Sequence, residues 1–232
     1  MTGLDRAAAA DALAGAYGKI TQFAGALTEA DAMLPSRCAG WTVLDVLYHQ
    51  LLDARRALVT FASPSPDPPG TDYVTYWLPY APASGHPAAL GGSGAARHAR
   101  QVRISASAYT AQMLASEWRE TSAAALHAAR ACPYEALATQ GHTLPTADFT
   151  ATLAVEAAIH YLDMAVALPA APRPDSVSLA LVRQVLDQLA GSPLPASWDD
   201  VTCALKGTGR QPVSQADQAA LGPAAGRLPL FG

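Results

Sequence analysis

The most informative part of the sequence is residues 149–168, FTATLAVEAAIHYLDMAVAL, whose Ala- and Leu-rich composition predicts a long helix. The stretch contains no Lys or Arg, yet it carries Glu156, His160 and Asp163. On an α-helix these side chains, at i, i+4 and i+7, share one face. A carboxylate on an apolar helix needs a cation from elsewhere. Because E-x-x-x-H spacing can present both side chains to one divalent metal, we expect a metal site with a third ligand elsewhere in the chain.

Helical hydrophobic periodicity also appears before this stretch. Residues 4–28 predict a first helix, and a second runs from the capping box at Thr42 and Asp45 to Phe61. Residues 95–131 predict either one long helix or two helices with a kink near Ser116. With the stretch above, these patterns predict a mainly α fold whose first 168 residues form a four-helix bundle.

The C-terminal part of the chain, residues 169–232, differs in composition and begins with several prolines. Residues 176–189 predict a fifth helix, residues 198–206 are compatible with a strand, and Ser214 begins another helical pattern. We therefore expect a small α+β appendage, packed on the bundle.

Residues 63–94 have no periodicity and are dense in Pro and Gly. A loop of this length inside a compact domain is usually functional or disordered. Tyr76, Trp77 and Tyr80 argue against disorder, so we expect an ordered surface loop or lid. These aromatic residues either line a substrate pocket or anchor the loop on the bundle.

Composition excludes several functional classes. The formal net charge of −4 and the absence of a basic stripe predict no binding to nucleic acid or to an anionic membrane. No apolar run approaches the ~18 to 20 residues of a membrane span. The N-terminal residues lack the pattern of a signal peptide. Three widely separated cysteines predict reduced thiols and a cytoplasmic location.

His49 is the leading candidate for the third ligand, since metal sites in bundles are commonly built from facing helices. Taken alone, its helix face, which it shares with Asp45, Asp53 and Arg56, reads as a solvated polar surface. The competing interpretation of Glu156 and the histidine that follows it is an ordinary i, i+4 side-chain pair.

Four segments of the sequence resemble a known family. Residues 39–49, AGWTVLDVLYH, resemble the P-G-W-(T/S)-V-x-D-(V/L)-x-x-H segment of the DinB-like metalloenzymes, specifically the mycothiol-dependent maleylpyruvate isomerase N-terminal domain. Residues 156–163, EAAIHYLD, resemble the E-x-x-x-H-x-W-D motif of that family. Residues 205–212 and 227–232 are similar to the C-terminal ends of its actinobacterial members, so the resemblance covers most of the chain.

The resemblance implies a DinB-like bundle that binds a divalent metal through His49, Glu156 and His160. Zinc suits these ligands, and nickel or iron does as well. Two imidazoles and one carboxylate leave a coordination position open, where a thiol would lose its proton. In this family the thiol is mycothiol, which implies cis–trans isomerisation of an enoyl acid or S-transfer to a small electrophile. The sequence departs from the family at Ala39, Leu162 and Gln50, none of which is a ligand.

Other residues have open interpretations. Asp163 either orients a ligand or accepts a backbone hydrogen bond. Arg56 shares the His49 face and is a candidate for binding the thiol or the substrate, as are the loop residues Tyr76, Trp77 and Tyr80.

We expect a monomer or a homodimer that binds small molecules. The alternative function is a non-catalytic metal-binding stress or regulatory protein, in which the aromatic loop is a partner surface.

Overall fold

The computed structural model describes residues 4–82 and 93–232, and its fold is mainly α. The α-helices of the described residues are α1 Arg6–Ala24, α2 Glu29–Ala32, α3 Val43–Phe61, α4 Ser93–Ala106, α5 Ala111–Ala131, α6 Thr146–Ala165, α7 Ser176–Ala190, α8 Asp200–Gly207 and α9 Gln215–Leu221. Two short strands, β1 Ala136–Thr139 and β2 His142–Pro145, form an antiparallel hairpin. Short 3₁₀ helices cover Thr75–Tyr80 and Gly222–Arg227.

Four long helices form the bundle, because α1 and α3 each pack against both α5 and α6. Tyr17 of α1 contacts Trp118 of α5 edge to face, with ring centroids 5.0 Å apart. At the α3–α6 interface, the Phe61 ring lies against the Phe149 ring. The core between the helices is filled by fully buried side chains, among them Leu13, Ile20, Leu47, Leu51, Leu114 and Met164.

The helix starts follow the predicted capping chemistry. The Thr42 hydroxyl accepts the Asp45 backbone N–H, and the Asp45 carboxylate accepts the Thr42 backbone N–H, which completes the predicted capping box of α3. Ser214 caps α9 in the same way. The predicted 95–131 helix is in fact two helices. The break lies at residues 107–110 and not near Ser116, because Thr110 caps a new helix.

Residues 63–82 cross the surface between the bundle and the appendage. The Ser65 backbone N–H donates a hydrogen bond to the Ala136 carbonyl of the hairpin. The Tyr73 hydroxyl accepts hydrogen bonds from the side chains of Gln184 and Gln188 of α7. This segment is therefore tied to two parts of the protein. Residues 83–92 of the predicted 63–94 loop lie outside the described residues.

The appendage packs on the bundle through α7, which contacts α1 and α6. The prediction of a strand at residues 198–206 is wrong, since this segment forms α8. Its first turn is capped by Asp199, whose carboxylate accepts the Thr202 backbone N–H at 2.7 Å. The two strands lie instead between α5 and α6, where the sequence analysis predicted none.

A mainly α fold with a small appendage is confirmed, and the division of the chain after residue 168 stays a prediction. Among the described helices, none combines the length and the apolar character that crossing a membrane requires.

Candidate metal centre

The facing helices α3 and α6 bring the three predicted ligands together. His160 Nε2 lies 3.2 Å from Glu156 Oε1, and His49 Nε2 lies 3.5 Å from the same oxygen. One ligand atom from each of the three residues lies within 4.8 Å of the others. The rings of His49 and His160 are perpendicular, with centroids 4.9 Å apart. Both imidazoles therefore face one carboxylate oxygen.

His160 is held by a chain of hydrogen bonds that ends in the appendage. Its Nδ1 donates to Asp163 Oδ2 at 2.9 Å. Arg210 donates to both oxygens of Asp163, through Nε at 2.8 Å and Nη2 at 2.9 Å. The Cys38 thiol also donates to Asp163, at 3.3 Å. Because Asp163 is fully buried and satisfied by these side chains, it orients the His160 ring.

His49 is held differently. Its Nε2 lies 3.4 Å from Asp53 Oδ2 as well as beside Glu156. Its buried Nδ1 has no hydrogen-bond partner among the described residues. The ring instead packs edge to face against Trp41 and His98, with centroid distances of 5.5 and 5.4 Å. Aromatic contacts, not hydrogen bonds to Nδ1, therefore position this imidazole.

The electrostatics keep the carboxylates of the cluster ionised. Burial alone would raise the pKa of Glu156, but hydrogen bonds from His160 and His49 hold it well below its usual range. Burial would likewise raise the pKa of Asp163, yet His160 and Arg210 lower it. Burial disfavours the charged form of His160, but hydrogen bonds to Asp163, Cys38 and Glu156 raise its pKa well above the ordinary value. The ionised Glu156 carboxylate is thus balanced by its imidazole neighbours, a role that a divalent cation held by the same three residues would take over.

The donor atoms fit a divalent metal. Two imidazole nitrogens and a carboxylate oxygen are a common set for Zn²⁺, and each imidazole presents Nε2 toward Glu156. Cys38, His160 and Asp163 form a second close group. Arg210 already supplies a cation to Asp163 there, so we interpret this second group as hydrogen-bonding support for the first.

The cluster lies in the wall of a cavity of about 760 Å³. Tyr76, Trp77 and Tyr80 line this cavity, as does Arg56. The Trp77 ring stacks on Phe231 with centroids 4.5 Å apart. The loop therefore forms one wall of the cavity beside the C-terminal residues.

The structure corrects two interpretations of the sequence. The His49 face is not a solvated surface: Asp45 is buried in the cap of α3, and Asp53 lines the cavity. His98 has no ligand spacing to the other histidines of the sequence, which predicts a surface residue, but it lines the cavity and lies against the His49 ring.

Arg210 was missed as a site residue. It follows Asp163 by 47 positions, so no helical spacing could relate the two. The only available signal was the demand of a buried Asp for a basic partner.

Comparisons with known proteins support one family. The family model described as mycothiol maleylpyruvate isomerase N-terminal domain matches residues 13–165. The match includes His49, Glu156 and His160 and ends before the appendage. No curated protein and no solved structure matched the chain in the other two comparisons.

Proposed function

The chain belongs to the mycothiol maleylpyruvate isomerase N-terminal domain family, and from this membership we propose that it is a metal-dependent enzyme that uses mycothiol. The proposed reaction is cis–trans isomerisation of a small electrophilic acid, or S-transfer to a small electrophile. The observation that carries the proposal is the convergence of three ligand atoms, from His49, Glu156 and His160, in the wall of a cavity.

These three residues would hold zinc, nickel or iron. When bound, the metal lowers the pKa of a coordinated thiol, so that a thiolate nucleophile is available near neutral pH. The ionised Glu156 carboxylate contributes the one negative charge of the ligand set. Asp163 and Arg210 keep Nε2 of His160 directed toward that charge.

The cavity accommodates the two small molecules beside this centre. Tyr76 and Tyr80, with Trp77 between them, supply aromatic surface, and Arg56 supplies an exposed cation for an acidic group of the substrate. In isomerisation, the thiolate sulfur adds to one carbon of the C=C double bond, and the π electrons move onto the conjugated acid group. After rotation about the resulting single bond, those electrons re-form the double bond, the C–S bond breaks and the thiolate is regenerated. In S-transfer, the sulfur displaces a leaving group, such as the chloride of monochlorobimane, and the conjugate is the product.

The test measures both outcomes with metal-loaded protein and mycothiol. Maleic acid reports isomerisation, and monochlorobimane reports S-conjugation. We expect turnover of at least one probe, with activity reduced to background in His49→Ala and in His160→Ala. His127→Ala is the matched control, because His127 is an exposed histidine of α5 that does not line the cavity, and it should retain full activity.

Two results would contradict the proposal. Equal activity in the His49→Ala variant and the parent would remove that residue from the ligand set. One equivalent of bound metal without turnover of mycothiol, with these probes or with a wider panel of electrophiles, would favour the non-catalytic metal-binding protein. The predicted cytoplasmic location and the predicted absence of nucleic-acid binding stay predictions.

A further inference from the structure

We propose that the end of the cavity farthest from the histidines is a subsite for an uncharged hydroxyl or amide group of an extended thiol, and that Gln140 determines its specificity. This inference rests on the proposed function, because it assigns the thiol to the cavity. The new element is the binding site for the part of the thiol molecule that lies far from the sulfur.

The position of Gln140 follows from how the hairpin is anchored. The hydroxyl of the preceding residue, Thr139, accepts a buried hydrogen bond of 3.1 Å from the hydroxyl of Thr60, near the C-terminal end of α3. His49 lies eleven residues before Thr60 on the same helix, which is about 16 Å at 1.5 Å per residue. Gln140 lines the cavity from that end. The cavity thus extends from the proposed metal ligands to the turn of the hairpin.

Helix α6, which faces α3 across the cavity, shows the same long axis of the cavity. His49 of α3 faces His160, and Phe61 of α3 faces Phe149, so the two helices are antiparallel. From His160 back to Phe149, α6 also covers about 16 Å of cavity wall. The metal ligands and Gln140 therefore lie toward opposite ends of one elongated space.

The backbone at Gln140 is unfavourable for glutamine. The hairpin turn consists of Gln140 and Gly141, with φ angles of +47° and +84°. Both positions of such a two-residue turn require positive φ, which favours Asn, Asp or Gly at the first position. A glutamine held in the left-handed region costs stability, and such strain is concentrated at binding and catalytic sites.

The chemistry of the far end selects an uncharged polar group. Val59 and Phe149 provide apolar wall there, and the carboxamide of Gln140 is a neutral group that both donates and accepts. Its side chain makes no hydrogen bond to another described residue, so the carboxamide is available to a ligand. A hydroxyl-rich extension satisfies this group and also fills a length that a cysteine derivative alone does not reach.

The experiment compares two thiols that differ in this extension. Mycothiol carries its sugar groups beyond the N-acetylcysteine portion, whereas N-acetylcysteine lacks them. Affinities for zinc-loaded protein are measured by calorimetry for the parent, Gln140→Ala and Gln140→Gly. Gln101→Ala is the control, because it removes the carboxamide of an exposed α4 residue outside the cavity.

We expect both Gln140 variants to weaken mycothiol binding by roughly 3- to 10-fold. N-acetylcysteine binding should be unchanged in both. Only Gln140→Gly also relieves the backbone strain, so its melting temperature should exceed that of Gln140→Ala by about 2 °C. The Gln101 control should match the parent with both thiols.

Three results would overturn the subsite. They are unchanged mycothiol affinity in the variants, equal weakening of both thiols, and weakening of mycothiol binding by the Gln101 control that equals the weakening in the Gln140 variants. Failure of the parent itself to bind either thiol is a different result, because it contradicts the proposed function and removes the premise of the subsite with it.

Discussion

His160 and His49 approach the same carboxylate from opposite helices, yet the protein holds them by different means. On the α6 side, Nδ1 of His160 is hydrogen-bonded to Asp163, which is bound by Arg210 of the appendage. On the α3 side, Nδ1 of His49 has no partner among the described residues, and the ring rests on Trp41 and His98.

This difference between the two histidines shows which side of the site depends on residues far away in the sequence. A hydrogen bond to the second nitrogen fixes both the tautomer and the direction of an imidazole ligand. Ring packing restricts direction but leaves the tautomer open. We therefore expect the α6 side to depend on the appendage and the α3 side to depend on local packing within the bundle.

The largest expected effect is the loss of unfolding free energy in Asp163→Ala. The substitution leaves the Arg210 guanidinium without its buried partner, and breaking a buried ion pair from one side costs about 3 kcal/mol or more. Urea unfolding of the metal-free protein measures the loss. Asp200→Ala is the matched control, because it breaks the more exposed Arg183–Asp200 pair and should cost less than about 1 kcal/mol. Equal losses in the two variants would contradict the asymmetry of the site.

The α6 side also requires the appendage to dock closely against α1. A Cβ added at Gly15 would lie 2.4 Å from the carboxylate of Asp175, which caps α7. At Gly18 of the same helix, a Cβ would meet nothing within 4 Å. Both substitutions gain helix propensity, but only Gly15→Ala disturbs the cap. We expect it to be less stable than Gly18→Ala by about 1–2 kcal/mol in chemical denaturation. Equal stability would mean that the appendage tolerates a wider separation.

A smaller effect, on metal affinity, compares the support of His160 with the support of His49. Arg210→Met keeps the length of the side chain but removes the donors to Asp163, and loss of such support typically weakens metal binding by about 10-fold or more. His98→Ala removes only a ring contact of His49, so its effect should be no more than about 3-fold. Zinc titration of both variants provides the measurement. A larger effect from His98→Ala would reverse the assignment of the two sides.

Local chemistry explains what the sequence predicted. The apolar run at 149–168 and the capping box at Thr42 each specify a helix through neighbouring residues, and these helices occur as α6 and α3. Spacing within 156–163 also placed Glu156, His160 and Asp163 on one face, where the structure has them. These features can be predicted from the sequence because each depends on only a few consecutive residues.

The rest depended on contacts between distant residues. The pairing of Arg210 with Asp163 joins two elements that share no sequence period. The hairpin strands are only four residues each and contain Ala and Thr, so they give little periodicity. Residues 198–206 were compatible with a strand, but the Asp199 cap and packing against α7 make the segment helical.

We propose that His49, Glu156 and His160 bind one divalent metal. The most direct measurement is calorimetric titration of metal-free protein with zinc and with nickel, run beside Glu156→Gln, which replaces the shared carboxylate with a neutral group of the same shape. We predict one equivalent of metal for the parent and loss of most of the affinity in the variant. Equal stoichiometry and affinity in the two proteins would contradict the claim, as would a parent that binds neither metal.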